Sequence, residues 1–548
     1  MKTTSYDYII IGAGSAGCVL ANRLSEDPDT QVLLIEAGPA DRDPMIKIPL
    51  VWLKFVQNRR HDWGYDTQPE PHMDDRVIEC VRGKVLGGCS SINAMTYVRG
   101  NAGDYERWKK TGLDQWGFEG VQPYFKKMEN WADKSSDGED DLRGDDGPFK
   151  IKASTYEDEM FDAYIKAGSE MGFGDTKDYN GRDQYGLSRT QQNIYKGLRY
   201  SAADAYLKSV LKRSNLTLKL KQFVTRVVIE NQKAVGVELA GSGGQLEVVR
   251  AAREVIVSTG AINSPHLLML SGIGPAEQLK SQGIDVQVDA PEVGQNLQDH
   301  ISAGVAYHRK QQGPFVAKTR YDRLAIEMLR AYFFGTGVAS DFPGGLTCFT
   351  KVDASSEVPD TQILFNGAPV GSHPWFPGIK PPWRDGFGCR SVLLHPESRG
   401  SVELVSSDPR KLMHLRQNFL STDKDRTTLR ESFKLCRELT EQSAMDAYRS
   451  DEHLPGPQAK SDAEIDAHIR ATGISVHHPC GTCRMGSDDR SVVDPALKLR
   501  GIENLRVVDA SVMPDITSGN IHAPVLMIAE KAADYILEKR SVYSNKSF

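Results

Sequence analysis

The first 36 residues constrain the fold most. A short apolar run, Tyr8 to Ile11, leads into a glycine turn, Gly12-x-Gly14-x-x-Gly17. Helical periodicity follows from Cys18 to Leu24, and a second apolar run, Gln31 to Ile35, ends at Glu36. This is strand, turn, helix and strand at the length of a βαβ unit. Glycine turns are common, but one that follows a strand, opens a helix and stands 22 residues (Gly14 to Glu36) before an acidic strand end has the context of a dinucleotide site. Gly12 permits the tight turn, Gly14 lets a pyrophosphate touch backbone, and Gly17 lets helix pack on strand. The helix start, Ser15 and Ala16, turns its free N–H groups toward the phosphates. Glu36, with Ala37 beside it, can accept both hydroxyls of an adenosine ribose, and its carboxylate disfavours a 2′-phosphate.

A chain of 548 residues can bury a large core and more than one structural unit. Hydrophobic residues make up 39 % and charged residues 26 %, as in an ordinary globular protein. The net charge is −6, and no basic block recurs, which argues against a nucleic-acid partner. No window holds the ~18 to 20 apolar residues of a membrane span, and the N-terminus lacks the pattern of a signal peptide. No membrane partner and a cytoplasmic location are the expectation. The eight cysteines are scattered and read as reduced thiols. The polar stretch 133–147 reads as an exposed loop, a helix is expected from His266 to Leu270, and 300–475 mixes strands with loops.

Four further stretches carry a family resemblance. They are Gly83-Lys-Val-Leu-Gly-Gly-Cys-Ser-Ser-Ile-Asn93, then Gly260-Ala-Ile-Asn-Ser-Pro-His-Leu-Leu-Met-Leu-Ser-Gly-Ile-Gly274, then Val293-Gly-Gln-Asn-Leu-Gln-Asp-His300. The fourth runs from His478-Pro-Cys-Gly-Thr-Cys-Arg-Met-Gly486 through Val508-Asp-Ala-Ser-Val-Met-Pro514 to Ala529-Glu-Lys-Ala-Ala-Asp534. Together with the first motif they resemble the glucose–methanol–choline (GMC) flavin oxidoreductases, in order and over nearly the whole chain.

That resemblance implies an α/β fold: a Rossmann-like FAD-binding domain with a discontinuous substrate domain containing a mainly antiparallel sheet. The FAD-binding domain is expected from 1–150, 200–300 and 475–540, the substrate domain from 151–199 and 301–474. FAD is the implied cofactor. Val85, Gly88, Asn93, Ala94, Met95 and Thr96 are expected beside the isoalloxazine and pyrophosphate, and Val224 at the adenine. Gly260, Asp509 and Ala510 end strands, where α/β sheets meet their ligands. Some members attach flavin through a histidine at the position of Ile92; an alkyl side chain cannot form that bond, so FAD is expected to be non-covalent.

Alcohol oxidation removes a proton from oxygen and a hydride from the adjoining carbon. A neutral imidazole suits the first task. By resemblance His478 is the general base, and His522 is the second catalytic residue that holds the substrate oxygen. His477 and Asn520 are expected near the flavin. The implied partners are a small-molecule alcohol, expected to be primary, with aromatic and heteroaromatic alcohols among the candidates, and oxygen or another electron acceptor. A non-redox hydroxynitrile lyase of the same fold and an NAD-dependent Rossmann enzyme are the competing classes. Cys480-Gly-Thr-Cys483 has metal-motif spacing but no second pair, so no metal is expected. Trp375, Phe376 and Trp383 lie in a proline-rich loop that could line an entrance. Nothing in the sequence sets the oligomeric state.

Overall fold

A computed structural model of the chain describes residues 5–132, 142–174, 176–241 and 245–538. Two large sheets organise them. In the first, strands run in the order Leu216–Leu220, Val32–Glu36, Ser5–Ile11, Leu246–Val257, Lys233–Ala240 and Phe223–Glu230. The first four are mutually parallel, and the last two continue antiparallel. Strand Leu505–Val507 joins in parallel with the C-terminal end of Leu246–Val257. Ile9 and Ile10 point to opposite faces and are both fully buried, as a central strand covered on both sides requires.

The helix Ser15–Leu24 packs on the helix His522–Ile536, which is buried along most of its length. An Arg23–Glu530 pair joins them, Nε to Oε2 at 2.9 Å and Nη2 to Oε1 at 2.7 Å. These two helices are therefore one packed unit, which brings the C-terminal motif to the glycine turn.

The second sheet is antiparallel throughout, in the order Arg449–Leu454, Ile301–Arg309, Gly386–Leu393, Thr361–Asn366, Leu346–Thr350 and Gly186–Arg189, with Ile474–Ser475 also pairing Ile301–Arg309. It has its own hydrophobic core, which includes Tyr164, Phe365, Phe387 and Phe433. An α/β fold with a mainly antiparallel second sheet is thus what the chain adopts. Two expectations change. The polar stretch 133–147 lies partly outside the described residues; its end, 142–147, holds the buried Arg143, tied to Glu129 and Asp178 and so no simple exposed loop. The helix expected from His266 to Leu270 begins earlier, at Gly260. No helix among the described residues is long and apolar enough to cross a membrane.

Candidate active site

A cavity of about 840 Å³ is lined by residues of both sheets. Its inner part is built by the glycine turn. Gly12 has a positive φ of 96°, and a Cβ there would meet the Ser258 carbonyl oxygen at 2.5 Å. A Cβ on Gly17 would meet the Gly12 oxygen at 1.9 Å, so helix and strand touch only because it is glycine. A Cβ on Gly14 would meet nothing within 4 Å. It would project into the cavity, as it must if a bulky group lies against this backbone. No side chain caps the Ser15–Leu24 helix at Gly14, which leaves its first N–H groups free for an anion. The loop of Gly83–Asn93 folds onto this turn, with the Gly87 N–H donating to the Ala13 carbonyl at 2.8 Å.

Glu36 is fixed by two backbone donors, Ala13 N to Oε2 at 2.9 Å and Gly38 N to Oε1 at 2.7 Å. Burial pushes its carboxyl up to about 7, and those two N–H groups oppose the rise. Its oxygens face the cavity at the end of the second strand, where ribose hydroxyls can donate to them. Asp509 accepts from Gly260 N at 2.8 Å and Ser264 Oγ at 2.6 Å, joining two strand ends under the cavity floor. Several buried polar atoms around the cavity have no partner within the protein: His477 Nδ1, Asn520 Oδ1, Ser258 Oγ and both ring nitrogens of His522. Free helix N–H groups, an open cradle over Gly14, a ribose-type carboxylate and orphaned donors and acceptors are together what a dinucleotide with a polar ring needs. These residues fit FAD.

Most of the residues expected from sequence line this cavity: Gly12, Gly14, Ser15, Ala16, Glu36, Ala37, Gly88, Asn93, Ala94, Met95, Thr96, Val224, Gly260, His477, His478, Asp509, Ala510, Asn520 and His522. Gly17 does not, since it faces the strand. Val85 does not either; it is fully buried in an apolar cluster with Ile46, Phe55 and Ile92 behind the loop, a packing role where a cofactor contact was expected. Trp375, Phe376 and Trp383 are also absent from the lining. The indoles of Trp375 and Trp383 instead donate to the carbonyls of Val316 and His373.

The chemical centre is a chain of three side chains. His300 Nε2 lies 3.0 Å from the Leu394 carbonyl, and its Nδ1 lies 2.9 Å from Nδ1 of His478. A carbonyl only accepts, so the His300 proton sits on Nε2. The neutral ring then has a lone pair on Nδ1, and His478 must carry its proton on Nδ1. His478 Nε2 is left unprotonated and accepts from Asn520 Nδ2 at 3.0 Å. Burial holds both imidazoles below their ordinary range, His300 down to about 3 and His478 well down, aided in His478 by His300, Arg82 and His477. Asp299 steadies the backbone here: its Oδ1 accepts from His478 N at 2.7 Å and its Oδ2 from Ser475 Oγ at 2.6 Å. The result is a neutral base with a fixed tautomer, aimed into the cavity.

His522, expected to hold the substrate oxygen, lines the cavity without touching His478; the residue that meets His478 is Asn520, which was expected only near the flavin. His522 opens the final helix, and its ring stands edge-on to Phe149 at 5.3 Å. Burial, together with the nearby Arg199 charge, pushes it down to about 4. Residues two apart in a turn entering a helix leave the backbone in different directions, so only one of them meets His478. Sequence reasoning also missed His300, although it ends a motif that was recognised, and Arg82, whose Nη2 donates to the His477 carbonyl at 2.6 Å.

With this geometry in place, comparison with known proteins identifies the family. The GMC oxidoreductase model matches residues 6–302 with its N-terminal part and 396–529 with its C-terminal part. The chain belongs to the GMC oxidoreductase family. An oxygen-dependent choline dehydrogenase of Sinorhizobium fredii is 43 % identical over 97 % of this chain and 96 % of its own length. One from Rhizobium meliloti is 41 % identical over the same shares. Among solved structures, pyridoxine 4-oxidase from Mesorbium loti superposes with a TM-score of 0.86 at 33 % identity, covering 98 % of this chain and all of the other. A fungal aryl-alcohol oxidase gives 0.84 at 26 %, with the same coverage. This GMC member is an FAD-dependent oxidoreductase that acts on alcohol donors.

Proposed function

We propose that this GMC oxidoreductase oxidises a neutral, largely apolar primary alcohol to the aldehyde, with His478 as general base and non-covalent FAD. The carrying observation is the His300–His478–Asn520 chain, which fixes the tautomer of His478 and leaves its Nε2 unprotonated at the cavity wall. His478 Nε2 takes the hydroxyl proton. Asn520 Nδ2 then donates to the oxygen that has lost it, and the carbon-bound hydrogen is directed toward the ring site beside Asn93–Thr96. FAD, when bound, supplies the acceptor for that hydride. Non-covalent attachment rests on Ile92, which has no nucleophilic atom.

The charge of the lining supports a neutral substrate. Three acidic residues line the cavity. Glu36 is held at the ribose end, and Asp509 is occupied by Gly260 and Ser264. That leaves Glu79 to face Arg82 and Arg390, since Arg59 is paired with Asp62 and Asp66. Toward the second sheet the walls are apolar: Leu50, Trp52, Phe342, Leu346, Leu364 and Phe365. A quaternary ammonium would meet net positive charge, whereas an aliphatic or aromatic alcohol gains about 25 cal/mol for each Å² of apolar surface it buries. We further propose that the domain limits expected from sequence follow the two sheets.

The test is a panel of alcohols, including 1-octanol, benzyl alcohol, pyridoxine and choline, scored by anaerobic bleaching of the flavin. Bleaching at the lowest concentrations by 1-octanol or benzyl alcohol is expected. Saturation by choline below every neutral alcohol would overturn the substrate reading, and cleavage of a cyanohydrin without bleaching by any alcohol would overturn the reaction. Admitting oxygen afterwards and assaying hydrogen peroxide tells oxidase from dehydrogenase.

A further inference from the structure

The helix Tyr321–Phe334 is built inside out. Its inward face presents Leu324, Glu327, Met328 and Ala331, with the Glu327 and Ala331 positions fully covered. Its outward face carries the large apolar residues: Ile326 is 58 % exposed, Leu329 57 % and Phe333 67 %. Tyr321, Tyr332 and Phe334 are exposed beside them. At 1.5 Å per residue these fourteen residues form a ridge about 21 Å long. A water-facing helix normally shows the reverse pattern, and apolar ridges of this kind mark a surface that something covers.

Charge decides what covers it. Lys318, Arg320, Arg323 and Arg330 stand on or just before the helix. Lys196 sits at its C-terminal end, where Gly197 touches Gly335, and Lys380 lies in the loop whose Trp375 pairs with Arg320. Against these six cations stand two carboxylates, Asp322 and the inward Glu327, in a chain whose net charge is −6. A two-fold dimer through this ridge would set the basic rim against its own copy. A negatively charged lipid surface complements it, and Phe, Leu, Ile and Tyr with flanking Arg and Lys is the composition of a helix that lies in a bilayer interface.

The ridge is continuous with the cavity. Leu50 packs in the cluster of Ile48 and Ala331 beneath the helix and also lines the cavity, and Val370 is both 64 % exposed and part of the lining. We infer that the helix Tyr321–Phe334 docks the enzyme, without spanning, on an anionic membrane surface, setting the cavity mouth against the bilayer. An apolar alcohol or a lipid-soluble electron acceptor then reaches the cavity from the membrane. The docking stands on the helix alone and does not depend on which alcohol is oxidised.

The experiment is co-sedimentation of the flavin-loaded enzyme with vesicles of phosphatidylcholine alone and with phosphatidylglycerol added. Binding to the anionic vesicles that weakens in high salt is expected. The double variant Ile326→Ser, Phe333→Ser should lose at least about tenfold in vesicle affinity. Both residues lie outside the cavity, so its flavin content and its rate with a water-soluble alcohol should equal those of the wild type. The inference is overturned if the enzyme stays in the supernatant with both vesicles. It is equally overturned if sedimentation velocity shows a dimer that the double variant abolishes while vesicle binding is absent, since a second copy would then be the cover.

Discussion

The base and its tautomer are set by three residues, and each can be removed separately. His478→Ala should slow anaerobic flavin reduction by about 10²- to 10⁴-fold, the usual worth of a positioned base, with cofactor content unchanged. His300→Ala removes the acceptor that fixes the Nδ1 proton, and the rate should fall by about tenfold or more as a buried donor loses its partner. An asparagine at 300 still offers one donor to the Leu394 carbonyl and one acceptor to His478, so His300→Asn should recover part of that loss. Equal rates in the two variants would show that His300 merely fills space. The same burial sets the pH dependence. His478 is held well below 6.5, so the unprotonated form persists in mild acid. kcat/KM should stay level from pH 7.5 to 6.5 and fall only below, and a limb centred above 6.5 would contradict the dry, neutral imidazole described here. His478 was legible because an imidazole opening a recognised motif has few other uses. Asn520 was placed near the flavin but not at His478, because the two-residue offset between it and His522 is resolved only by the turn at Gly519, which carries a φ of 97°.

At the scale of elements, the glycine turn holds two demands that one pair of variants separates. Gly14 faces open cavity and Gly17 faces the Gly12 carbonyl at contact distance. Gly14→Val should leave the thermal stability of the apoprotein almost unchanged and abolish FAD binding. Gly17→Ala should force the Ser15–Leu24 helix off its strand and destabilise the apoprotein by about 1 to 3 kcal/mol, the range for overpacking a tight contact. Differential scanning calorimetry of both apoproteins, with flavin titration, checks this. If Gly14→Val unfolds the protein as readily as Gly17→Ala, the open cradle is not where the cofactor lies. This βαβ unit was readable because its periodicities switch within thirty residues and its strands are apolar on both faces. The second sheet was not readable in the same detail. Its strands, such as Thr361–Asn366 and Gly386–Leu393, are defined by partners far away in sequence, and cavity residues stand directly beside core residues on them, Arg390 next to Cys389 and Leu364 next to Ile363. No local pattern says which face of an antiparallel strand meets the cavity.

Over the whole molecule, closing a cavity between two sheets traps titratable groups, and these make stability depend on pH with a sign that can be worked out. Burial lowers His266 and His522 to about 4, and His300, His395 and His477 to about 3. In the unfolded chain such imidazoles protonate below about 6.5. Their contribution is complete above that value and is lost as pH falls toward their folded values. Burial also raises Glu36 to about 7 and Asp299 to about 6. These two keep protons in the native state that the unfolded chain has already released, so they act in the opposite direction over the same window. The lowered imidazoles, His478 among them, outnumber the raised carboxyls, so the unfolded chain holds more protons near pH 5. Each surplus proton is worth about 1.4 kcal/mol per pH unit in favour of unfolding as acid is added. Asp204, held down to about 2 by Lys47 and Lys208 despite its burial, adds to the loss at the acid end. The urea midpoint of the apoprotein should therefore be clearly lower at pH 5 than at pH 7 at constant ionic strength. His266→Leu takes one of these imidazoles away and should flatten that dependence by about one proton. A midpoint that holds steady or rises toward pH 5 would mean water reaches these imidazoles, and the dry cavity on which His478 depends would not exist.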